Sequence, residues 1–182
     1  MKLFKEKGFD HVTVEEITQV CGIAKGTFYN YFPRKEAILL HLGQTQMEAV
    51  QISMQRYAHI SDLKEKLTRL FHDLFERYSE HPDMIKMTIS EMMRSTLLFQ
   101  EEMSITRKFE EVLTGMLDDA KTRGQVDERT VTSDIAAILV GLYFYSVLSW
   151  ASSDQHAQGI ESIFLRKFEI VWEGIRRRRD EA

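Results

Sequence analysis

The sequence predicts an all-α fold, and three observations lead to that prediction. Apolar residues recur along most of the chain at the three- and four-residue spacing of amphipathic helices. Only 2 prolines and 9 glycines occur among its 182 residues, and both residue types disfavour helix interiors. No run shows the alternating apolar and polar residues that are typical of a β-strand. With 43% hydrophobic residues, the chain can bury a sizeable helical core.

The stretch Thr13–Lys35 predicts two short helices joined by a glycine turn. Thr13 and Glu16 have the T-x-x-E spacing of a capping box, so we expect the first helix to begin after Thr13. Gly22 ends that helix, because glycine tolerates the left-handed backbone found at helix C-termini. Helical spacing places three residues on its buried face: Val14, Ile17 and Cys21.

A second helix is expected from about Ala24 to Tyr31, with Phe28 and Phe32 on its buried side. Pro33 closes the unit, since proline cannot continue a helix. The other side of this helix carries polar and aromatic groups that can contact DNA. A helix, a short turn and a polar second helix form the helix-turn-helix pattern, whose second helix enters the major groove.

Four features in register make the pattern more specific than a helix-turn-helix alone. They are Gly8-Phe9, the Thr13 cap, the central stretch Gly22–Phe32 and Lys35-Glu36. The central stretch fits G-[VI]-x-x-G-T-x-Y-x-[YH]-F. Together these features resemble the N-terminal DNA-binding domain of the TetR family of transcriptional regulators. Ala24 departs from the family pattern, because that position is often a serine that caps the recognition helix. The first helix of the family is also longer, so we expect the first helix of this chain to be truncated.

The resemblance implies DNA contacts on and around the second helix. Tyrosine and threonine hydroxyls can donate to phosphates, and the lysine at the start of the next helix is expected to meet a phosphate. Lys25 and Asn30 can read the edges of guanine and adenine, respectively. The alternative for each residue is a packing role or a solvated surface position. The expected DNA-binding residues are Thr13, Lys25, Gly26, Thr27, Tyr29, Asn30, Tyr31 and Lys35.

The charge distribution fits a small DNA-reading domain on an acidic remainder. The net charge of −4 argues against indiscriminate nucleic-acid binding. Residues 1–35 carry six basic and four acidic side chains, so the rest of the chain carries the negative charge. The single cysteine excludes an internal disulfide, and no secretory signal is visible. We therefore expect a cytoplasmic protein.

We divide the chain into a DNA-binding domain at 1–36 and a helical effector-binding and dimerisation domain at 37–182. The last two helices are expected at about 131–153 and 158–176. Between Ile135 and Ala151 the sequence carries no charge, but this run of 17 residues is shorter than the roughly 20 that span a membrane. We expect no membrane segment. The resemblance implies that these two helices form a four-helix interface with a second subunit, so we expect a homodimer.

The resemblance also implies a small-molecule cavity between the middle helices. Methionine and aromatic side chains adapt to varied apolar ligands, so we expect a hydrophobic or amphipathic effector. The same residue types also build ordinary helical cores, and that is the alternative for each of them. The candidate ligand-binding residues are Phe71, Phe75, Met92, Met93, Phe99, Met116, Tyr143 and Tyr145.

Catalytic and metal-binding patterns are missing from the sequence. Its six histidines fall in no metal-ligand spacing, and neither HExxH nor CxxC occurs. We expect no catalytic residue, no metal and no cofactor. The resemblance to the TetR family implies a ligand-responsive regulator, and we expect a repressor that a small molecule releases from a palindromic operator. The alternative is a helical small-molecule or lipid-binding protein that no longer binds DNA; an enzyme on a helical scaffold is the third hypothesis.

Overall fold

The structure, a computed structural model, describes residues 2–79, 82–152 and 159–176. These ranges hold nine helices and no strand, which confirms the all-α prediction. We call residues 2–36, with α1–α3, the head, and the described residues from 37 onward, with α4–α9, the body. The helices are α1 (Lys2–Lys7), α2 (Val14–Cys21), α3 (Lys25–Tyr31), α4 (Ala37–Arg56), α5 (Leu63–Ser79), α6 (Pro82–Arg94), α7 (Thr96–Thr122), α8 (Thr132–Ser152) and α9 (Ile160–Ile175).

The capping box at the start of α2 is formed as predicted. The hydroxyl Oγ1 of Thr13 accepts a hydrogen bond from the Glu16 amide at 3.2 Å, and the Glu16 carboxylate accepts one from the Thr13 amide at 2.8 Å. The hydrogen bond from Lys7, followed by those from Thr13, lowers the pKa of Glu16 to about 2. Because the carboxylate is ionised at any ordinary pH, it remains an acceptor for the helix N-terminus.

The glycine turn between α2 and α3 is also confirmed. Gly22 has a φ of 66° in the left-handed region, and the amide of Ile23 donates to the carbonyl oxygen of Thr18 at 3.0 Å. The Gly22 amide also donates to the carbonyl oxygens of Thr18 and Gln19, so carbonyls at the end of α2 have partners. At the start of α3, Ala24 makes no side-chain capping bond.

The prediction for the buried face of α2 is wrong at Cys21. Cys21 is exposed, and Thr18 is buried instead, with 6% of its surface accessible. The hydroxyl of Thr18 donates to the carbonyl oxygen of Glu15 at 2.9 Å, which satisfies it inside the fold. Val14 and Ile17 are half-buried. The polar threonine can therefore occupy a core position that periodicity assigned to apolar residues.

Two apolar clusters organise the chain. The smaller one joins Phe4, Phe9 and Val12 of the head to Leu39 of α4. The larger one fills the body, and its centre is a group of aromatic rings that we call the aromatic cluster. In this cluster the centroids of neighbouring rings lie 4.3–6.3 Å apart. Its members are Phe71, Phe75, Phe109, Tyr143 and Phe164.

Helix α8 crosses the body and packs against α6, α7 and α9. By length and composition alone it is apolar enough to span a membrane, yet a buried core helix has the same composition, so this is weak evidence. Helix α9 covers α8 with a buried stripe from Ile160 to Ile175, as predicted. Residues 153 and 158, the expected inner limits of these two helices, lie outside the described residues.

Replacement of Gly22 by alanine should loosen the helix-turn-helix. A side chain at a φ of 66° is strained by about 1 kcal/mol, so amides of α2 and α3 should exchange hydrogen faster. Gly26 is the matched control, because it lies inside α3 and a methyl group added there would meet only open space. Gly26→Ala should therefore slow exchange in α3. Equal effects of the two substitutions would contradict the role given to the turn.

Candidate nucleic-acid interface and effector cavity

Helix α3 presents its polar face to solvent and buries the opposite one. Phe28 is 2% exposed, and its ring lies edge-to-face with Tyr29 and against Phe32, at centroid distances of 5.4 and 5.5 Å. Because the Phe28 face of α3 is packed against the head, the side chains on the opposite face keep a fixed direction. The structure places six of the predicted DNA-binding residues together on the exposed surface of α3: Lys25, Gly26, Thr27, Tyr29, Asn30 and Tyr31.

Lys25 is engaged with α2 in this structure. Its ammonium group donates to the carboxylate of Glu15, and this hydrogen bond raises the pKa of Lys25 and lowers that of Glu15. Both side chains are exposed, so the pair contributes little to stability. A base edge or a phosphate can therefore replace Glu15 as the partner of Lys25 without a large loss.

Lys35 has a role inside the head that the sequence did not indicate. Its Nζ donates to the carbonyl oxygens of Phe9 and Val12 at 2.7 and 3.0 Å, and it lies 3.5 Å from that of Asp10. It also lies 4.4 Å from the centroid of the Phe9 ring. Lys35 thus ties the start of α4 to the loop before α2. A phosphate contact would have to share the ammonium group with these carbonyls, and Thr13 likewise already serves as the cap of α2.

Among the described residues, two ion pairs and one apolar contact join the head to α5–α9. Nη1 of Arg94, at the end of α6, donates to the carboxylate of Asp10 at 2.9 Å, and this bond lowers the pKa of Asp10. Arg34 lies 4.0 Å from the carboxylate of Glu101 on α7. Met87 of α6 packs against the apolar cluster of the head. Sequence reasoning missed these contacts, because residues so far apart in the chain leave no local signal.

A large open cleft lies between the end of α3 and the first half of α7, and we call it the head–body cleft. Its volume is about 840 Å³. Basic and polar groups surround an apolar floor, so the cleft can hold an amphipathic molecule. The lining residues are Tyr31, Phe32, Pro33, Arg34, Ala37, His41, Glu101, Ser104, Ile105 and Lys108.

A small internal space, which we call the neck, lies on the other side of Ile105. Its volume is about 30 Å³, close to that of one water molecule in the liquid. It borders Phe109 and Tyr143 of the aromatic cluster, and Ile105 lines both the neck and the head–body cleft. The two spaces therefore meet at Ile105.

One polar group in the neck has no hydrogen-bond partner within the described part of the chain, and another is a buried carboxyl group. One is the buried Oε1 of Gln46, whose Nε2 donates to the hydroxyl of Tyr143 at 3.1 Å. The other is the carboxyl group of Glu102, and burial raises its pKa above the usual value because a carboxylate loses hydration there. Both groups can accept hydrogen bonds from a ligand.

The predicted ligand-binding residues do not gather around one cavity. Phe71, Phe75 and Tyr143 belong to the aromatic cluster, and Tyr143 borders the neck. Met116 is buried but lines a different cleft, of about 570 Å³, at the other end of α7. We call it the far cleft. Met92 is half-buried. Three residues have exposed side chains: Met93, Phe99 and Tyr145.

The far cleft lies where the end of α4 meets the second half of α7. Its polar groups are evenly matched in charge, with Lys66 and Arg123 against Glu111 and Asp119. Among the described residues, no three His, Cys, Asp or Glu side chains come together as metal ligands would.

An exposed polar helix that follows a glycine turn in a three-helix head is the arrangement of helix-turn-helix DNA-binding domains. Residues 1–42 match the model of the bacterial regulatory proteins of the tetR family. Over these residues, which include α1–α3, the chain is similar to that family.

Two curated relatives differ in how much of the chain they match. The uncharacterized HTH-type transcriptional regulator YuxN of Bacillus subtilis is 34% identical over 96 residues, which cover 50% of this chain and 32% of that protein. The chain thus spans about a third of the length of the first relatives that it matches. The fatty acid metabolism regulator protein of Bacillus subtilis is 24% identical over 157 residues, which cover 85% of this chain and 81% of that protein.

Solved structures share the whole fold. FadR of Thermus thermophilus, a TetR-family repressor in complex with lauroyl-CoA, has a TM-score of 0.77 at 23% identity, covering 100% of this chain and 94% of that chain. FadR of Bacillus subtilis in complex with stearoyl-CoA has a TM-score of 0.79 at 22% identity, covering 96% and 94%. At these identities the likeness establishes the arrangement of the helices.

Glu102→Gln should stabilise the protein at pH 7.5 and lose this effect in acid. Because the pKa of Glu102 is raised in the folded state, folding favours the protonated form. Its stabilising contribution is complete below the ordinary pKa of 4.5 and is lost as the pH rises through the folded pKa. Glutamine removes the buried charge, so the melting temperature should rise at pH 7.5 and the gain should shrink towards pH 4.5.

Thermal melts of the two proteins across this pH range measure the effect. Glu111→Gln, an exposed position on the same helix, is the control and should show no such trend. A gain from Glu102→Gln that stays constant with pH would show that the buried charge is not its cause.

Proposed function

We propose that this protein is a dimeric, ligand-responsive transcriptional repressor that binds a palindromic operator in the cytoplasm. The observation that supports this function most directly is the exposed polar face of α3, set opposite the buried Phe28 in a TetR-family head. In this proposal Lys25 and Asn30 read base edges, and the hydroxyls of Tyr29 and Tyr31 hold phosphates. The DNA-binding domain covers residues 1–36, and the effector-binding and dimerisation domain covers 37–182.

The proposed effector is a long-chain acyl thioester of coenzyme A. The relative that aligns over most of the chain is named a fatty acid metabolism regulator, and the two FadR structures hold lauroyl-CoA and stearoyl-CoA. The aromatic cluster of the body offers the apolar environment that an acyl chain requires. Coenzyme A carries phosphates and an acyl chain carries none, so such a ligand is strongly amphipathic.

The proposed dimer uses an apolar stripe on the outer face of α8. Ile138, Gly141, Tyr145 and Leu148 are all exposed and follow spacings of three and four residues. The stripe borders α9, where the ammonium group of Lys167 lies 4.9 Å from the centroid of the Tyr145 ring. Soluble proteins rarely leave such a stripe uncovered. A second subunit can cover it and place two recognition helices on successive half-sites.

The proposed release of DNA requires that the effector bind two arrangements of the head with different affinities. An effector can release DNA only if it binds more tightly to the head arrangement that does not fit the operator. We therefore expect effector binding and operator binding to weaken each other by the same factor. A confirmed effector that leaves operator affinity unchanged would contradict this mechanism.

Selection from a random pool of DNA duplexes should enrich a pseudo-palindrome. The affinity for the enriched sequence should fall steeply with salt, because each phosphate contact releases counterions. Tyr29→Phe removes only a hydroxyl and should weaken binding to all sequences, whereas Asn30→Ala should relax the preference at one base position by roughly 1–3 kcal/mol.

The variants separate positioning contacts from base reading. If Asn30→Ala lowers the affinity for every DNA sequence equally, Asn30 does not read a base edge. A folded dimer that enriches no sequence at low salt would favour the alternative, a helical lipid-binding protein that no longer binds DNA.

Leu148→Glu should convert the dimer into a monomer of 21.3 kDa. The buried charge would meet its symmetric copy or an apolar surface in the proposed interface, and either environment disfavours it. Ile52→Glu is the matched control, because Ile52 is a similarly exposed aliphatic residue on α4, outside the stripe. Light scattering after gel filtration gives both masses, and a Leu148→Glu protein that remains dimeric would contradict this interface.

A further inference from the structure

We propose that Glu15 is a positioning residue for DNA recognition, which holds the ammonium group of Lys25 towards a base edge and away from phosphates. In the function proposed above, on which this inference rests, Lys25 reads the edge of a base. The inference adds a residue of α2 that acts through Lys25 and raises the preference of the protein for its operator over other DNA.

The two neighbouring carboxylates of α2 have different tasks. Glu16 belongs to the capping box, where it accepts hydrogen bonds from Thr13. Glu15 takes no part in that cap, and its carboxylate reaches across the glycine turn to Lys25, the first residue of α3. The side chains of Lys25 and Glu15 are 50% and 69% exposed. A contact between the two helices, and not burial, therefore sets the direction of Lys25.

The start of α3 favours this pairing. A lysine at the first position of a helix meets the positive end of the helix dipole, where an anion is favourable and a cation is not. Helix α3 supplies no anion there, since Ala24 makes no side-chain cap and no acidic residue lies in the first turn. Glu15 supplies one from α2. The hydrogen bond from Lys25 lowers the pKa of Glu15, so the carboxylate stays charged near neutral pH.

The pair leaves Lys25 able to read a guanine. An ammonium group has three N–H donors. One of them is used by Glu15, and the others can donate to N7 and O6 of a guanine. A free lysine side chain has many rotamers, so its restraint by Glu15 before DNA binds reduces the entropy that the base contact costs.

A phosphate gains less from the paired Lys25 than from a free lysine. The carboxylate of Glu15 already compensates the ammonium charge, so a phosphate only replaces one anion with another. The first helix of a helix-turn-helix crosses the DNA backbone, where a carboxylate on α2 repels phosphates. Every DNA sequence offers phosphates, whereas few offer the matching base edge. The pair therefore weakens binding to other DNA more than binding to the operator.

Glu15→Gln tests this role, because it removes the charge and keeps the size of the side chain. The ratio of operator affinity to the affinity for a duplex without the operator should fall about two- to fivefold, the contribution of one exposed ion pair. For the second duplex, the slope of log affinity against log salt should steepen by about 0.9, since one more phosphate is neutralised. Fluorescence anisotropy of labelled duplexes over a range of salt concentrations measures both.

A purely structural role of Glu15 predicts a different result. Loss of helix stability would lower the affinity for both duplexes and would not steepen the slope. Glu6→Gln is the matched control, because it makes the same change of charge at an exposed position of α1. It should leave the affinity ratio unchanged.

A double-mutant cycle assigns the effect to Lys25. In a Lys25→Ala background, Glu15→Gln should leave the affinity ratio unchanged. If Glu15→Gln lowers the ratio equally with and without Lys25, or has no effect on it in either background, Glu15 does not act by positioning Lys25.

The outcomes separate this inference from the proposed function. If selection enriches no DNA sequence, the proposed function fails and this inference fails with it. If an operator is found and Lys25→Ala keeps the preference for every base in it, DNA recognition stands. In that case Lys25 reads no base and the inference is wrong.

Discussion

The burial of Phe28 is the contact on which the proposed DNA-reading surface depends. Helix α3 has seven residues, and isolated helices shorter than about 12 residues are only marginally stable in water. Ala24 adds no side-chain cap, and Gly26 lowers helix propensity further. Complete burial of a phenylalanine contributes roughly 2 kcal/mol, enough to hold so short a helix against the head. The exposed side chains of α3 keep their directions only while this anchor is in place.

Local patterns were predictable from the sequence, and contacts between distant residues were not. The capping box, the Gly22 turn and the apolar stripe of α9 depend on residues within one or two helical turns, so periodicity identifies them. The contacts of Lys35 with the carbonyl oxygens of Phe9 and Val12 bridge more than twenty residues and leave no such trace. The residues that line a ligand cavity were not predictable either. Aromatic residues that form a packed core and those that line a ligand site have the same sequence pattern.

The lysines of the head are all engaged before any DNA is present, as far as their side chains are described. Lys7 pairs with Glu16, Lys25 pairs with Glu15, and Lys35 is held by backbone carbonyls. Exposed ion pairs contribute little, so DNA phosphates can displace the first two partners readily. These internal partners also reduce the free positive charge of the head, which limits sequence-independent attraction to DNA. In the proposed complex, sequence preference then comes from the fit of α3 to particular bases.

The weak attachment of the head to the body would let the proposed effector move the head. Among the described residues, the head is joined to α5–α9 by the Arg94–Asp10 and Arg34–Glu101 pairs and by the packing of Met87. Both ion pairs are largely exposed and are further weakened by salt. The stiff connection is α4, which shares one apolar cluster with the head and another with the body. A displacement of α4 is therefore transmitted to the recognition helix, whereas the ion pairs can re-form or exchange partners with little loss of free energy.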